Sequence, residues 1–432
     1  MASASKSQYF HFSNLVLFII LLSSKNIIAA QDQKPPQAFY IPITKDSKTL
    51  QYLASIQIGT PPATVDAVID LGGQFLSLAC DKYNSSTTRR SVPCDSSECK
   101  TVLGHAQSKK RCGSNDTCSL SSFNPFNKNA VAAGELSDEI VAVHSTDGTA
   151  SLPATYSTHL VFSCADSNSL LKGLAKGGNG ILGLGRKTPQ MSLPTKLSSA
   201  YNLPPKFALC VPSSNEYGFG DLFVGGGPYL FPGGNDASKG LVYTPLAESS
   251  EGEYFVYVKA IKIDKRVVHN FDTSLLAINQ KGIGGTKIST ATPFGVLHSS
   301  IYKAVVGDFV KRAAARNITR VTPVAPFGAC FSTKNLHWTK AGPRVPVIDL
   351  ELPGNMVSLN WRIEGANSMV RVNKYVLCLG FVDGGSKAKA SIVLGGHQLE
   401  DNFLEFDLSR TMLGFTSSLL PRDETCSHVR NL

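Results

Sequence analysis

Short apolar or alternating runs, each closed by glycine, proline or serine, recur along most of the chain. Residues 51–58, 139–143, 208–211, 255–263 and 391–394 are of this kind, and they predict strands. Helical spacing is rarer. Ser299–Ala315 carries Val305, Phe309 and Val310 on one stripe and predicts a helix, with Leu193–Ala200 a shorter second one. A mostly β protein with few helices follows from this pattern.

Two of the apolar runs end in unequal ways. Residues 67–73 read A-V-I-D-L-G-G, which suits a buried strand turning sharply at its tip with Asp70 at the turn. Residues 283–294 read I-G-G-T-K-I-S-T-A-T-P-F, the same layout with Ser289 where the acid would stand. Aliphatics ending in glycines also come twice, as G-I-L-G-L-G after Asn179 and I-V-L-G-G-H after Ser391. About 400 mature residues exceed what one core usually supports, so two lobes are expected. The Pro- and Gly-rich residues 228–239 fit a linker between them, and the expected division is a leader at 1–30, a first lobe at 31–235 and a second at 236–432.

The first 30 residues have Lys6, a short apolar core at 15–22 and small residues before Gln31, the pattern of a secretory signal. No later stretch approaches the roughly 20 continuous apolar residues of a membrane helix, so a secreted, extracellular chain without a membrane anchor is expected. Ten cysteines, at 80, 94, 99, 112, 118, 164, 210, 330, 378 and 426, form no Cys-x-x-Cys pair. In a secreted chain an even count implies disulfides, not a metal site. Sequons at Asn84, Asn115 and Asn317 agree with that route and predict surface loops. The formal charge of +10, with pI about 9.0, is spread out, which argues against a nucleic-acid binder and is compatible with association with acidic cell-wall polysaccharide.

The two apolar-turn loops resemble those of the pepsin-like aspartic proteases, whose lobes each supply an Asp-Thr/Ser-Gly loop to a central cleft. The nearer resemblance is to their plant branch of inactive relatives: the extracellular dermal glycoproteins, basic 7S globulins and inhibitors of xylanase and of xyloglucan-specific endoglucanase. It rests on residues 49–61, T-L-Q-Y-L-A-S-I-Q-I-G-T-P, on 68–76 and 178–185, and on 391–407, and it spans about Phe39 to Cys426. It implies a mainly β, two-lobed pepsin-like acid-protease fold with a central cleft and few short helices. It also implies local bridges among Cys94, Cys99, Cys112 and Cys118, with Cys80–Cys164, Cys330–Cys378 and Cys210–Cys426 as longer staples.

An aspartic protease works because two close carboxylates share one proton and together activate water. A serine hydroxyl does not ionise usefully near neutrality, so Asp70 and Ser289 read as the remnants of a dyad. Leu71 stands where a Thr or Ser normally braces the loops, Ala291 replaces a Gly, and residues 123–143, where the family places a flap, lack the usual tyrosine. No catalytic residue and no cofactor is expected. Asp70 reads as a hydrogen-bonded structural carboxylate. The G-x-G-x-x-G of Gly178, Gly180 and Gly183 lacks a βαβ setting, and no G-x-S-x-G elbow surrounds Ser289. His397 reads as a turn residue satisfied by backbone, and Trp338 and Trp361 as buried structural residues.

Binding then moves to loops. The inhibitors that the chain resembles push C-lobe side chains into a glycoside hydrolase. Their positions correspond here to Arg422 in L-P-R-D-E-T-C, and to Lys340, with Arg344 near it, in residues 331–344. The resemblance implies a secreted inhibitor of microbial cell-wall-degrading glycoside hydrolases, a family 12 xyloglucan endoglucanase before a family 11 xylanase. Two other readings stay open: a weakly active endopeptidase using Asp70, and a storage or peptide-binding wall protein like basic 7S globulin.

Overall fold

The strands expected at 51–58, 208–211 and 391–394 form as Tyr52–Ile58, Lys206–Cys210 and Ile392–Leu394, and residues 139–143 lie inside the long strand Ala130–Thr146. This computed structural model describes residues 36–82, 86–103, 116–127, 130–146, 155–213, 218–231 and 234–427. The leader at 1–30, Cys112, Asn84 and Asn115 fall outside the described residues. Both helices form over the expected residues. In Ser299–Ala315 the buried residues are Ile301, Val305, Phe309 and Ala313, one side chain per turn, while Val310 is only partly buried. His298 caps its start, accepting the Ser300 N–H at 3.3 Å.

Residues 255–263 depart from expectation. They split into Phe255–Val256, paired with Leu246–Ala247 and Lys287–Thr286, and Ala260–Ile263, paired with Ile348–Glu351 of a different sheet. The alternation shifts phase there: Val256 and Val258 are buried before the break and Ile261 and Ile263 after it, with the adjacent apolar pair Ala260 and Ile261 marking the change.

Six antiparallel strands join the two lobes. In spatial order they are Ala38–Lys45, Gly220–Gly225, Lys206–Cys210, Phe403–Asp407, Met412–Phe415 and Val242–Ala247. Where the lobes meet, Phe207 stacks on Phe406 at 4.6 Å and Lys206 reaches Glu405 at 3.0 Å and Asp407 at 3.1 Å. A second junction centres on buried Glu400. Its Oε1 accepts from the Tyr52 hydroxyl at 2.8 Å and pairs with Lys45 Nζ at 2.7 Å, and its Oε2 faces His397 Nδ1 at 3.2 Å.

The described residues of the passage at 228–239 form no ladder strand, but neither do they hang free. Tyr229 and Phe231 are buried against Phe403, and Asp236 caps the short 3-10 turn Ala237–Gly240. Four disulfides pair Cys80 with Cys164, Cys99 with Cys118, Cys210 with Cys426 and Cys330 with Cys378, and Cys94 is also bridged. Among the described residues no helix is long and apolar enough to cross a membrane.

Candidate functional site

Asp70 closes the strand Ala63–Asp70, which runs parallel to Gly180–Gly183 with Asp70 set against Gly183. The second lobe repeats this. Thr286–Ile288 runs parallel to Ile392–Leu394, and the register carried one residue on sets Ser289 against Gly395. Asp70 and Ser289 therefore end equivalent strands. The repeat also absorbs the G-x-G-x-x-G match, because Gly180–Gly183 is itself a strand and not a phosphate-binding turn.

Asp70 is buried, and its Oδ1 accepts the Gly72 N–H at 2.8 Å. A Cβ on Gly73 would stand 2.9 Å from the Gly183 backbone, so only glycine lets the chain turn this closely beneath the carboxylate. Burial pushes Asp70 above the ordinary aspartate value and Glu253 adds to this, while the Gly72 and Gly73 N–H groups and Lys287 oppose it. Ser289 is buried too, its Oγ 3.3 Å from Thr292 Oγ1. The loops are braced from one side. Thr290 Oγ1 donates to the Ile69 carbonyl at 2.8 Å and accepts the Leu71 N–H at 3.2 Å, whereas Leu71, fully buried, has no hydroxyl to return the contact.

Sequence reasoning missed Lys287 and Glu253, which form an ion pair beside Asp70. The only trace was a lysine inside an apolar run, K in T-K-I-S. Next to the pair lies a cavity of about 380 Å³ between Gly72, Phe75, Ser122 and Phe123, bordered by Lys187 and Glu251, which pair at 2.9 Å. Among the described residues of the 123–143 stretch, Phe123 is exposed over this cavity.

The candidate contact residues lie in the second lobe. Lys340 sits at the tip of the two-stranded hairpin Trp338–Thr339 and Gly342–Pro343. Arg422 ends the 3-10 turn Leu420–Arg422, which Asp423 terminates in the left-handed region at φ 61°. Asp423, the residue after Arg422, ties that turn to the hairpin: its Oδ2 lies 2.5 Å from Lys340 Nζ, with both side chains largely in water. Arg422 is exposed, and its guanidinium lies flat against Gly240, where a Cβ would come within 2.4 Å of it. Arg344 is exposed elsewhere, lining a hollow with Arg316, Asn335 and His337.

Trp338 corrects the expectation of a buried residue. It is 50% exposed, with Arg371 4.8 Å above its ring, because it lies on the outer strand of a two-stranded hairpin whose other strand packs on residues 365–366. Trp361 is 1% exposed, stacked on Phe415 at 4.9 Å, and its Nε1–H donates to Asn402 at 3.3 Å. His397 Nε2 faces the Met369 carbonyl at 3.2 Å, but its other nitrogen faces the Glu400 carboxylate. Asn317 is exposed just past the long helix, at φ 58°. Among the described residues no group of three His, Cys, Asp or Glu side chains could hold a metal.

Two family models match the chain, "Xylanase inhibitor N-terminal" over residues 52–226 and "Xylanase inhibitor C-terminal" over 253–417. A "Probable aspartic proteinase GIP2" from Nicotiana benthamiana is 42% identical, over 96% of this chain and 96% of its own. "Gamma conglutin 1" from Prunus dulcis is 39% identical over 99% of this chain and 97% of its own. Among solved structures, that of "edgp" has a TM-score of 0.84 at 42% identity, covering 92% of this chain and 98% of that one. "Basic 7S globulin from soybean" has a TM-score of 0.78 at 31% identity, covering 91% and 98%. With matched models over both halves and relatives aligned nearly end to end, the chain belongs to the xylanase inhibitor family and has its two-lobed, pepsin-like fold.

Proposed function

We propose that this protein is a secreted inhibitor of cell-wall-degrading glycoside hydrolases, directed at a microbial family 12 xyloglucan-specific endoglucanase and serving plant defence in the apoplast. The observation that carries this is the corner where Lys340 and the Arg422 turn meet through Asp423, both cations in water. Such hydrolases work with two carboxylates flanking the scissile bond. An inserted guanidinium grips a carboxylate with two hydrogen bonds, and a nearby ammonium adds charge, so together they occupy the place of the sugar. Arg344, the third candidate contact, instead lines the separate hollow with Arg316, Asn335 and His337. We take the lobes to divide near residue 235, so that the inhibitory corner belongs wholly to the second.

On this reading the chain is not a peptidase. A dyad needs two carboxylates sharing a proton, and the position equivalent to Asp70 holds Ser289. A second reading, capture of a peptide or storage in the wall as for basic 7S globulin, draws on the cavity of about 380 Å³ beside Asp70.

The test is release of reducing sugar from xyloglucan by a microbial family 12 endoglucanase, with purified protein titrated in beside Arg422→Ala and Lys340→Ala. Stoichiometric inhibition weakened by both substitutions supports the proposal. No inhibition at micromolar excess, of this enzyme or of a family 11 xylanase, overturns it. Cleavage of a denatured protein at acid pH, lost in Asp70→Asn, would instead establish a degenerate endopeptidase.

A further inference from the structure

Away from the cleft, the helix Ser299–Ala315 and the turn at 266–270 enclose an open groove of about 650 Å³. Four cations line it, Lys303, Lys311 and Arg312 from one helix face and Arg266 from the turn, with His269 beside them. Asp308 is the carboxylate among the lining residues, and Arg312 already holds it at 2.9 Å. Arg266, Lys303 and Lys311 are exposed and join no ion pair among the described residues. Asp383 is within electrostatic reach of Lys303, but it is itself occupied by Ser299 and by the Gly385 N–H.

Gly307 lies on the floor of this groove, one turn from Lys303 and one from Lys311. A glycine inside a helix destabilises it relative to alanine, so it usually has a packing reason. None exists here, because a Cβ at Gly307 would meet nothing within 4 Å. The missing side chain leaves the floor open between two lysines about 12 Å apart along the helix axis.

An open trough with separated cations, most of whose charge is not neutralised within the protein, suits an extended polymer bearing anions at intervals. No phenylalanine, tyrosine or tryptophan lines it, so it lacks the stacking faces on which single-stranded nucleic acids depend. The disulfides point to an oxidising compartment, where nucleic acid is not the prevailing polyanion. We propose that this groove binds acidic polysaccharide, a polyuronate whose carboxylates pair with Arg266, Lys303 and Lys311 while the chain lies across Gly307. It is independent of the inhibitory corner, so the protein could be held on a charged wall polymer with Lys340 and Arg422 free.

The experiment measures binding of the full-length protein to polygalacturonate and to its fully methyl-esterified form over a range of salt. Three variants accompany the wild type. One is Lys303→Gln with Lys311→Gln. Another is Gly307→Leu, which keeps every charge and fills the floor. The third is Lys334→Gln with Lys374→Gln, which removes two exposed charges elsewhere. Thermal melting verifies that each is folded. Expected are salt-sensitive binding to the free acid only, at least tenfold weaker binding for the first two variants, and no change for the third. Equal loss in the third variant, or wild-type binding by Gly307→Leu, would assign retention to diffuse charge and overturn the proposal. Single-stranded DNA bound as tightly, and lost in the same variants, would overturn the polysaccharide assignment.

Discussion

The Thr290 hydroxyl donates to the Ile69 carbonyl at 2.8 Å and accepts the Leu71 N–H at 3.2 Å, so one side chain of the second lobe holds the backbone on both sides of Asp70. Both backbone groups are buried, and each costs about 1–3 kcal/mol if left without a partner. Thr290→Val is therefore expected to lower stability by about 2–4 kcal/mol. Thr290→Ser should recover most of that. Urea midpoints at constant slope would measure both, and a Val variant within 0.5 kcal/mol of wild type, a value typical of neutral surface changes, would show that the brace is dispensable.

Glu400 is the buried centre of the other junction. Burial pushes its pKa up, but the His397 ring and the Lys45 ammonium outweigh that and leave it below the ordinary glutamate value. A depressed carboxylate contributes stability above its unfolded pKa and loses it as pH falls through the folded one. Lys45→Met, which strands the charge, should cost about 3–5 kcal/mol at pH 7, and the double variant with Glu400→Gln should recover much of it. Melting across pH 3–7 tests this, since the deficit of Lys45→Met must shrink on acidification.

Asp70 has the opposite sign. Burial raises its pKa, so its favourable contribution is complete below the ordinary value of 3.8 and is lost as pH rises through the folded value. Asp70→Asn keeps an oxygen for the Gly72 N–H. It should melt near wild type at pH 3.5 and above it at pH 7. A variant less stable at pH 7 than at pH 3.5, relative to wild type, would mean that the ionised carboxylate is stabilising where it stands.

Asp423 restrains Lys340 through an ion pair exposed to water on both sides. Such pairs contribute about 0.2–1 kcal/mol, and asparagine tolerates the left-handed backbone at this position, so Asp423→Asn should leave the melting temperature unchanged. If Lys340 meets a carboxylate of the target, the freed ammonium should strengthen inhibition of the endoglucanase by about twofold to fivefold. Inhibition constants measured at low and high salt decide it. Weaker inhibition by this variant would identify Asp423 as a contact in its own right.

What was legible in the chain was what is local. Ser299–Ala315 announced itself through the helical stripe of Val305, Phe309 and Val310, two of which are buried in the core. Asp70 and Ser289 stood out because each ends an apolar run that the other lobe repeats. The relationships that define the site's electrostatics were not legible, because their partners are far apart in sequence. Glu253 and Lys287 are 34 residues apart and Lys340 and Asp423 are 83, and nothing in either neighbourhood points to the other. Trp338 shows a second limit: burial depends on a covering layer, and a tryptophan between polar neighbours does not reveal whether one exists.

Cys210 ends a strand of the first lobe, and Cys426, four residues beyond Arg422, closes onto it across 216 positions. A single proteolytic cut anywhere in that span, including the passage between the lobes, would leave its two products as one covalent molecule. Such a nick would not change the mass seen by gel filtration or on a non-reducing gel, and two bands would separate only after a thiol is added. In protease-rich surroundings the protein could thus be cut without coming apart.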